Sequence, residues 1–139
     1  MVMGNEISET QEKNLKIVVL NCQSIVRKWI KLSNIVDIYQ PDVVIGVESW
    51  LRSDVCDSEI FPKSFKVYRR DRVGLSGGGV FILIREDLTS HEHINDDKFE
   101  ILGVRVLLHK HKQLDIIGVY RPGRSASDHD LIDKFLFIT

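Results

Sequence analysis

Long apolar runs, cysteines and net charge are all scarce in this chain, and each scarcity removes a class of protein. No segment reaches the ~18 uninterrupted apolar residues that a membrane-spanning helix needs, so no membrane span or membrane partner is expected. The chain has two cysteines in 139 residues, Cys22 and Cys56. They lack the spacing of a metal knuckle and any secreted context, which points to reduced, structural thiols. A formal net charge of −1 argues against a uniformly basic nucleic-acid binder. The polar, acidic start MVMGNEISETQEKN has neither the basic opening nor the apolar centre of a signal peptide. Residues 1–14 therefore read as a disordered leader of an intracellular protein.

What remains is a soluble-type composition, 43% hydrophobic and 28% charged, long enough for one domain with a real core. Two stretches organise it: KIVVLNCQSI at 16–25 and DVVIGVESWL at 42–51. Each is a short, unbroken apolar run, rich in Val and Ile, as expected of a strand buried on both faces. Each ends on a polar residue, Asn21 in the first and Glu48 in the second. In α/β folds the carboxyl ends of such strands are where sites form. An amide and a carboxylate delivered to one rim suggest a metal or phosphate site.

Between these strands, Ser24 is placed to cap a helix running to about Tyr39, with Ile25, Trp29, Leu32, Val36 and Tyr39 on one face. Strand, helix and strand then form a βαβ unit with parallel neighbours. Residues 50–64 read as irregular, 66–70 as a short strand, and 80–84 as another buried strand entered from Gly77, Gly78 and Gly79. Residues 99–108 and 114–120 read as an antiparallel hairpin. His91, His93, His109 and His111 fall in polar turns and read as solvent-exposed. Residues 127–135 read as the start of a helix, capped by Ser127 or Asp128. The glycine run precedes a strand, which excludes a phosphate-binding P-loop and a dinucleotide fold. Lys63, Lys66, Arg69, Arg70, Arg72 and Arg85 form one basic segment, and Lys110, Lys112, Arg121 and Arg124 a second. Each group is either a solvated face or a phosphate-contacting rim.

The order NCQSI, helix, PDVVIGVESWL, YRRDRVGLSGGGVFILIRE and IIGVYRPG resembles the N-terminal half of the endonuclease domain of non-LTR retrotransposons, in the endonuclease/exonuclease/phosphatase superfamily. The resemblance covers about 15–135 of this chain and about half of that domain. It implies an α/β (α+β) fold, a partial four-layer αββα sandwich with a mixed sheet and helices outside, lacking its C-terminal half. Residues 15–139 would then be an incomplete domain of this kind. The resemblance further implies Mg²⁺, with Glu48 as its ligand, Asn21 near metal and phosphate, and Tyr120 facing the phosphate. Arg70 and the three glycines match the family pattern without an assigned role. Ser127-Asp128-His129 matches the family's terminal triplet in letters but not in position, and reads as a helix cap. No GDFN-type segment, which in the family carries the water-activating aspartate, occurs in the sequence.

The implied function is a truncated, Mg²⁺-dependent DNA-nicking domain of retrotransposon origin, inactive by itself, without a small-molecule cofactor. Its partners would be DNA and, by extension, the missing C-terminal half or a reverse transcriptase in a longer polyprotein. A nuclear location follows from the same resemblance. The competing expectation is a non-catalytic module that binds nucleic acid or protein, with 63–85 as its contact surface.

Overall fold

The computed structural model describes residues 14–74, 76–96 and 98–120, together with the backbone of Phe135–Ile138. The expected leader, Arg121, Arg124 and the segment 127–134 lie outside the described residues.

The elements in chain order are β1 (Ile17–Asn21), α1 (Trp29–Tyr39), β2 (Val43–Val47), α2 (Asp57–Ile60), β3 (Phe65–Arg70), β4 (Val80–Arg85), β5 (Thr89–Asp96), β6 (Ile101–Leu107), a 3₁₀ turn at His109–His111, β7 (Gln113–Val119) and β8 (Phe135–Ile138). They build two four-stranded sheets, in the orders β1-β2-β4-β3 and β5-β6-β7-β8. The first sheet is mixed: β1 and β2 run parallel across the α1 crossover, while β4 pairs antiparallel with both β2 and β3. The second sheet is antiparallel throughout.

The unbroken apolar runs are central strands because both of their faces are covered. Val43, Ile45 and Val47 of β2 and Val80, Ile82 and Ile84 of β4 pack against Leu102, Val104, Val106 and Ile116 of the second sheet. The alternate residues Val44, Phe81 and Leu83 pack on Leu32 and Val36 of α1 and on Ile60 and Phe61. A strand sandwiched between a helix layer and another sheet has no solvent face and needs no polar alternation. β6, by contrast, alternates: Val104 and Val106 are buried while Arg105 faces outward to Asp115 of β7.

Three expectations are corrected. The helix does not start at Ser24. The amides of Cys22, Ser24 and Ile25 donate to the carbonyls of Val47, Glu48 and Ser49 at 2.9, 3.0 and 3.0 Å, which draws this segment onto the sheet edge and delays the helix to Trp29. Consequently Trp29 and Tyr39 are exposed, and only Leu32 and Val36 of the helix are buried. The helix ends as Gln40 turns left-handed (φ 49°) ahead of Pro41. Second, His91 and His93 lie in β5, an edge strand that pairs only with β6 and carries a bulge between Glu92 and Ile94. Polar sequence is what an exposed edge tolerates; both histidines are exposed, as are His109 and His111. Third, Phe135 belongs to β8, opposite Val119, and not to a helix. No helix among the described residues is long and apolar enough to cross a membrane.

Candidate active site

At the carboxyl ends of β1 and β2 the chain leaves the sheet under tight backbone control. Glu48 and Trp50 both adopt left-handed backbone (φ 54° each). The segment 48–50 is threaded between two neighbours. On one side it accepts the amides of Ser24 and Ile25; on the other, the amides of Ser49 and Trp50 donate to Gly79 and Gly78 at 3.4 and 3.0 Å. Sheet-like pairing thus extends past the end of β2, and Glu48 is presented by two flanking strands instead of a free loop.

From the opposite sheet, Tyr120 follows β7 and is 5% exposed. Its hydroxyl donates to Glu48 Oε1 at 2.7 Å, joining the two sheets across their common mouth. Asn21 ends β1 opposite Val47, one residue short of Glu48 on the adjacent parallel strand. Because register partners share a face, Asn21 holds a position on the side turned toward the second sheet, and it is exposed. Glu48 and Tyr120 are therefore in direct contact, with Asn21 at the neighbouring strand end.

Behind Tyr120 lies a second layer that sequence inspection did not find. Glu100 is buried; its Oε2 accepts from Arg72 Nε and Nη2 at 3.1 and 2.7 Å, and its Oε1 accepts from the Gly79 amide at 2.9 Å. The Arg72 guanidinium lies 5.5 Å from the centroid of the Tyr120 ring. The hydrogen bond that Arg72 donates to Glu100 is the leading cause that raises the Arg72 pKa above its ordinary value, against the cost of burial. In the sequence Arg72 was one cation in a basic run, and Glu100 was one polar position near the start of the strand read at 99–108. Neither carried a local signal, since their partnership spans 28 residues.

The rest of that basic segment is also largely engaged. Arg69 bonds Asp57 and Asp71, and Arg85 pairs with Asp42 and Asp87. Arg70 bonds Asn95, and Lys66 donates to the Leu88 carbonyl. Cys22 lies beside the rim, buried, with its thiol pushed up to about 12, first by desolvation and further by the Glu48 charge, against the pull of Lys28. A thiol so held is structural, as its burial in the α1 core also indicates.

Among the described residues no group of three or more His, Cys, Asp or Glu side chains could hold a metal. A closed protein cage is thus absent there. One half-buried carboxylate beside an amide is a different donor set. It fits a hard cation such as Mg²⁺, which keeps several waters and takes one or two carboxylates.

No protein-family model and no curated protein matches the chain. Solved structures do. The Xenopus laevis APE2 catalytic domain is 18% identical with a TM-score of 0.59, covering 81% of this chain and 47% of that one. The AP endonuclease LMAP from Leishmania major is 12% identical with a TM-score of 0.64, covering 86% and 44%. D. rerio TDP2 complexed with a single-strand DNA product is 15% identical with a TM-score of 0.55, covering 81% and 48%. The chain therefore has the endonuclease/exonuclease/phosphatase fold in part, and it spans about half the length of these structures.

Proposed function

We propose that this chain carries the metal-glutamate half of a DNA phosphodiesterase site of retrotransposon type. The observation that supports it most is the 2.7 Å hydrogen bond between Tyr120 and Glu48, made across the mouth of the two sheets. In this reading Glu48, with Asn21 beside it, would hold Mg²⁺, which when bound supplies Lewis-acid polarisation of a phosphate oxygen. Asn21 is an uncharged amide and orients ligands without repelling the phosphate. Tyr120 is a neutral donor whose acceptor is an anionic oxygen; a phosphate oxygen brought to the rim offers the same chemistry, and the hydroxyl stabilises charge developing there.

The GDFN-type segment that would activate water is not in the sequence. General acid–base groups contribute ~10²–10⁴ each and act as a unit, so the 139 residues alone should hydrolyse DNA at background rate. The retrotransposon assignment rests on the ordered sequence motifs. The three named structures include one complexed with DNA product, which favours DNA as the partner. The alternative, a binding module using 63–85, loses support because Arg69, Arg72 and Arg85 are engaged in internal ion pairs.

Mn²⁺ as a paramagnetic probe tests the reading. It should selectively broaden the amide signals of Asn21, Glu48 and Tyr120, and Glu48→Ala should abolish the effect. Mixing with a C-terminal fragment carrying a GDFN-type segment should then yield Mg²⁺-dependent plasmid nicking. Broadening that ignores Glu48, or none, would remove the nuclease reading.

A further inference from the structure

Tyr120 is restrained from three directions. Its hydroxyl donates to Glu48 Oε1, its amide donates to the Glu100 carbonyl at 3.2 Å, and the Arg72 guanidinium lies over its ring. That guanidinium is itself hydrogen-bonded at all three nitrogens: Nε and Nη2 donate to Glu100, and Nη1 donates to the Ser76 carbonyl at 3.1 Å. The Arg72 and Glu100 side chains are only 16% and 12% exposed, so solvent offers little competition for either.

The glycine triplet, unexplained by the sequence alone, is fitted to this unit. A Cβ built on Gly78 would stand 2.3 Å from Arg72 Nε, and one on Gly79 would stand 2.3 Å from Ser49 Oγ. All three glycines have left-handed backbone. Gly78 makes room for the guanidinium, and Gly79 turns its amide to Glu100.

We infer that Arg72, fixed by Glu100 and admitted by Gly78, is a positioning residue that holds the Tyr120 phenol against the Glu48 rim. A cation over a ring face restricts the ring, and a bidentate fork is rigid where a lysine would not be. Its catalytic value rests on the proposed nuclease reading, where a misplacement of about 1 Å costs on the order of 10²-fold; the restraint itself does not.

The test is the hydroxyl proton of Tyr120 in the whole chain, observed by NMR and assigned through its loss in Tyr120→Phe. Arg72→Gln removes the cation, Arg72→Lys keeps charge without the fork, and Gly78→Ala displaces the fork with both charges present. In each, the hydroxyl signal should broaden or vanish while the folded amide spectrum persists. A merely structural ion pair would lower the unfolding midpoint and leave that signal in place. Finding this in any folded variant overturns the inference. The unmodified chain provides a second reading should the variants not fold. A through-space contact between the Arg72 Hε and the Tyr120 ring protons supports the restraint, and its absence overturns it. The Mn²⁺ experiment uses neither Arg72 nor Gly78, so a failed metal reading and a failed restraint are told apart.

Discussion

Gly46 sits in the middle of β2, and a methyl group there has nowhere to go. An ideal Cβ on Gly46 would lie 2.1 Å from both Cε2 and Cζ of Phe81 on the paired strand β4. Ordinary carbon–carbon contact is ~3.5–4.0 Å, so the ring would have to retreat by more than about an ångström. Phe81 is fully buried and stacks tilted on Phe61, with ring centroids 4.9 Å apart. Movement must therefore spread into the α1 core or force β2 and β4 apart. Overpacking of this kind costs typically ~1–3 kcal/mol. The reduced freedom of the unfolded chain returns ~0.4–1 kcal/mol, since the backbone at Gly46 is not left-handed. The net expectation for Gly46→Ala is a loss of ~1–2 kcal/mol by urea denaturation with an unchanged m-value. Phe81→Leu alone also destabilises, by leaving a cavity. In the double variant the methyl fills part of that space, so the combined loss should be smaller than the two single losses added. Stability of Gly46→Ala at or above that of the parent chain, or strict additivity in the cycle, would refute the steric account. The proposed site depends on this packing, because β2 delivers Glu48 and β4 starts immediately after Gly79.

Two further outcomes follow from the rim. Native chain treated with a thiol reagent at mildly alkaline pH should be modified at exposed Cys56 and not at Cys22, whose thiol stays protonated until the pH nears about 12. Cys22 should react only on unfolding, and labelling of both in the folded chain would contradict the burial. Because only the unfolded chain ionises this thiol as pH climbs above the ordinary value, its linkage contribution lowers stability on the alkaline side. Glu48→Gly should be more stable than Glu48→Ala by ~1 kcal/mol, measured by urea midpoint. Both lose the bond to Tyr120, but only glycine takes φ 54° without a Cβ penalty. At an ordinary strand position the order is the reverse, so finding alanine ahead would show that the left-handed turn is not held.

Legibility in the sequence followed burial. β2 and β4 announced themselves because two-sided burial leaves an uninterrupted Val and Ile run, and the polar residue closing β2 marked the rim. β5 was invisible because an edge strand with exposed His91, Glu92 and His93 has the composition of a turn. The start of α1 was misread for a related reason: Ser24 has the chemistry of a cap, yet its amide is spent on Glu48, a long-range bond with no local trace. The basic segment is the clearest case of composition misleading. Arg69, Arg72 and Arg85 looked like a surface, and each is held by carboxylates that stand from 2 to 43 residues away in sequence.

The two ends of the sandwich are not equivalent, and that asymmetry is the strongest physical reason to place chemistry at one of them. Among the described residues, eight non-glycine residues have left-handed backbone; five of them, Gln23, Ser24, Glu48, Trp50 and Glu100, border the rim, as do Gly77, Gly78 and Gly79. Each non-glycine residue held this way costs roughly 1–3 kcal/mol and persists only where its surroundings over-determine it. Here they do: the amides of Ser24, Ile25, Ser49 and Trp50 are all bonded to neighbouring carbonyls. At the opposite end, Asp42 binds the Lys16 amide and Arg85 by ordinary means, and the left-handed residues there are Gln40, a helix stop, and Lys110 and His111 in the tight turn between β6 and β7. Packing alone gives no reason for so much unfavourable backbone to gather around a single carboxylate. The proposed site, which would need Glu48, Tyr120 and Asn21 in one fixed relation, does.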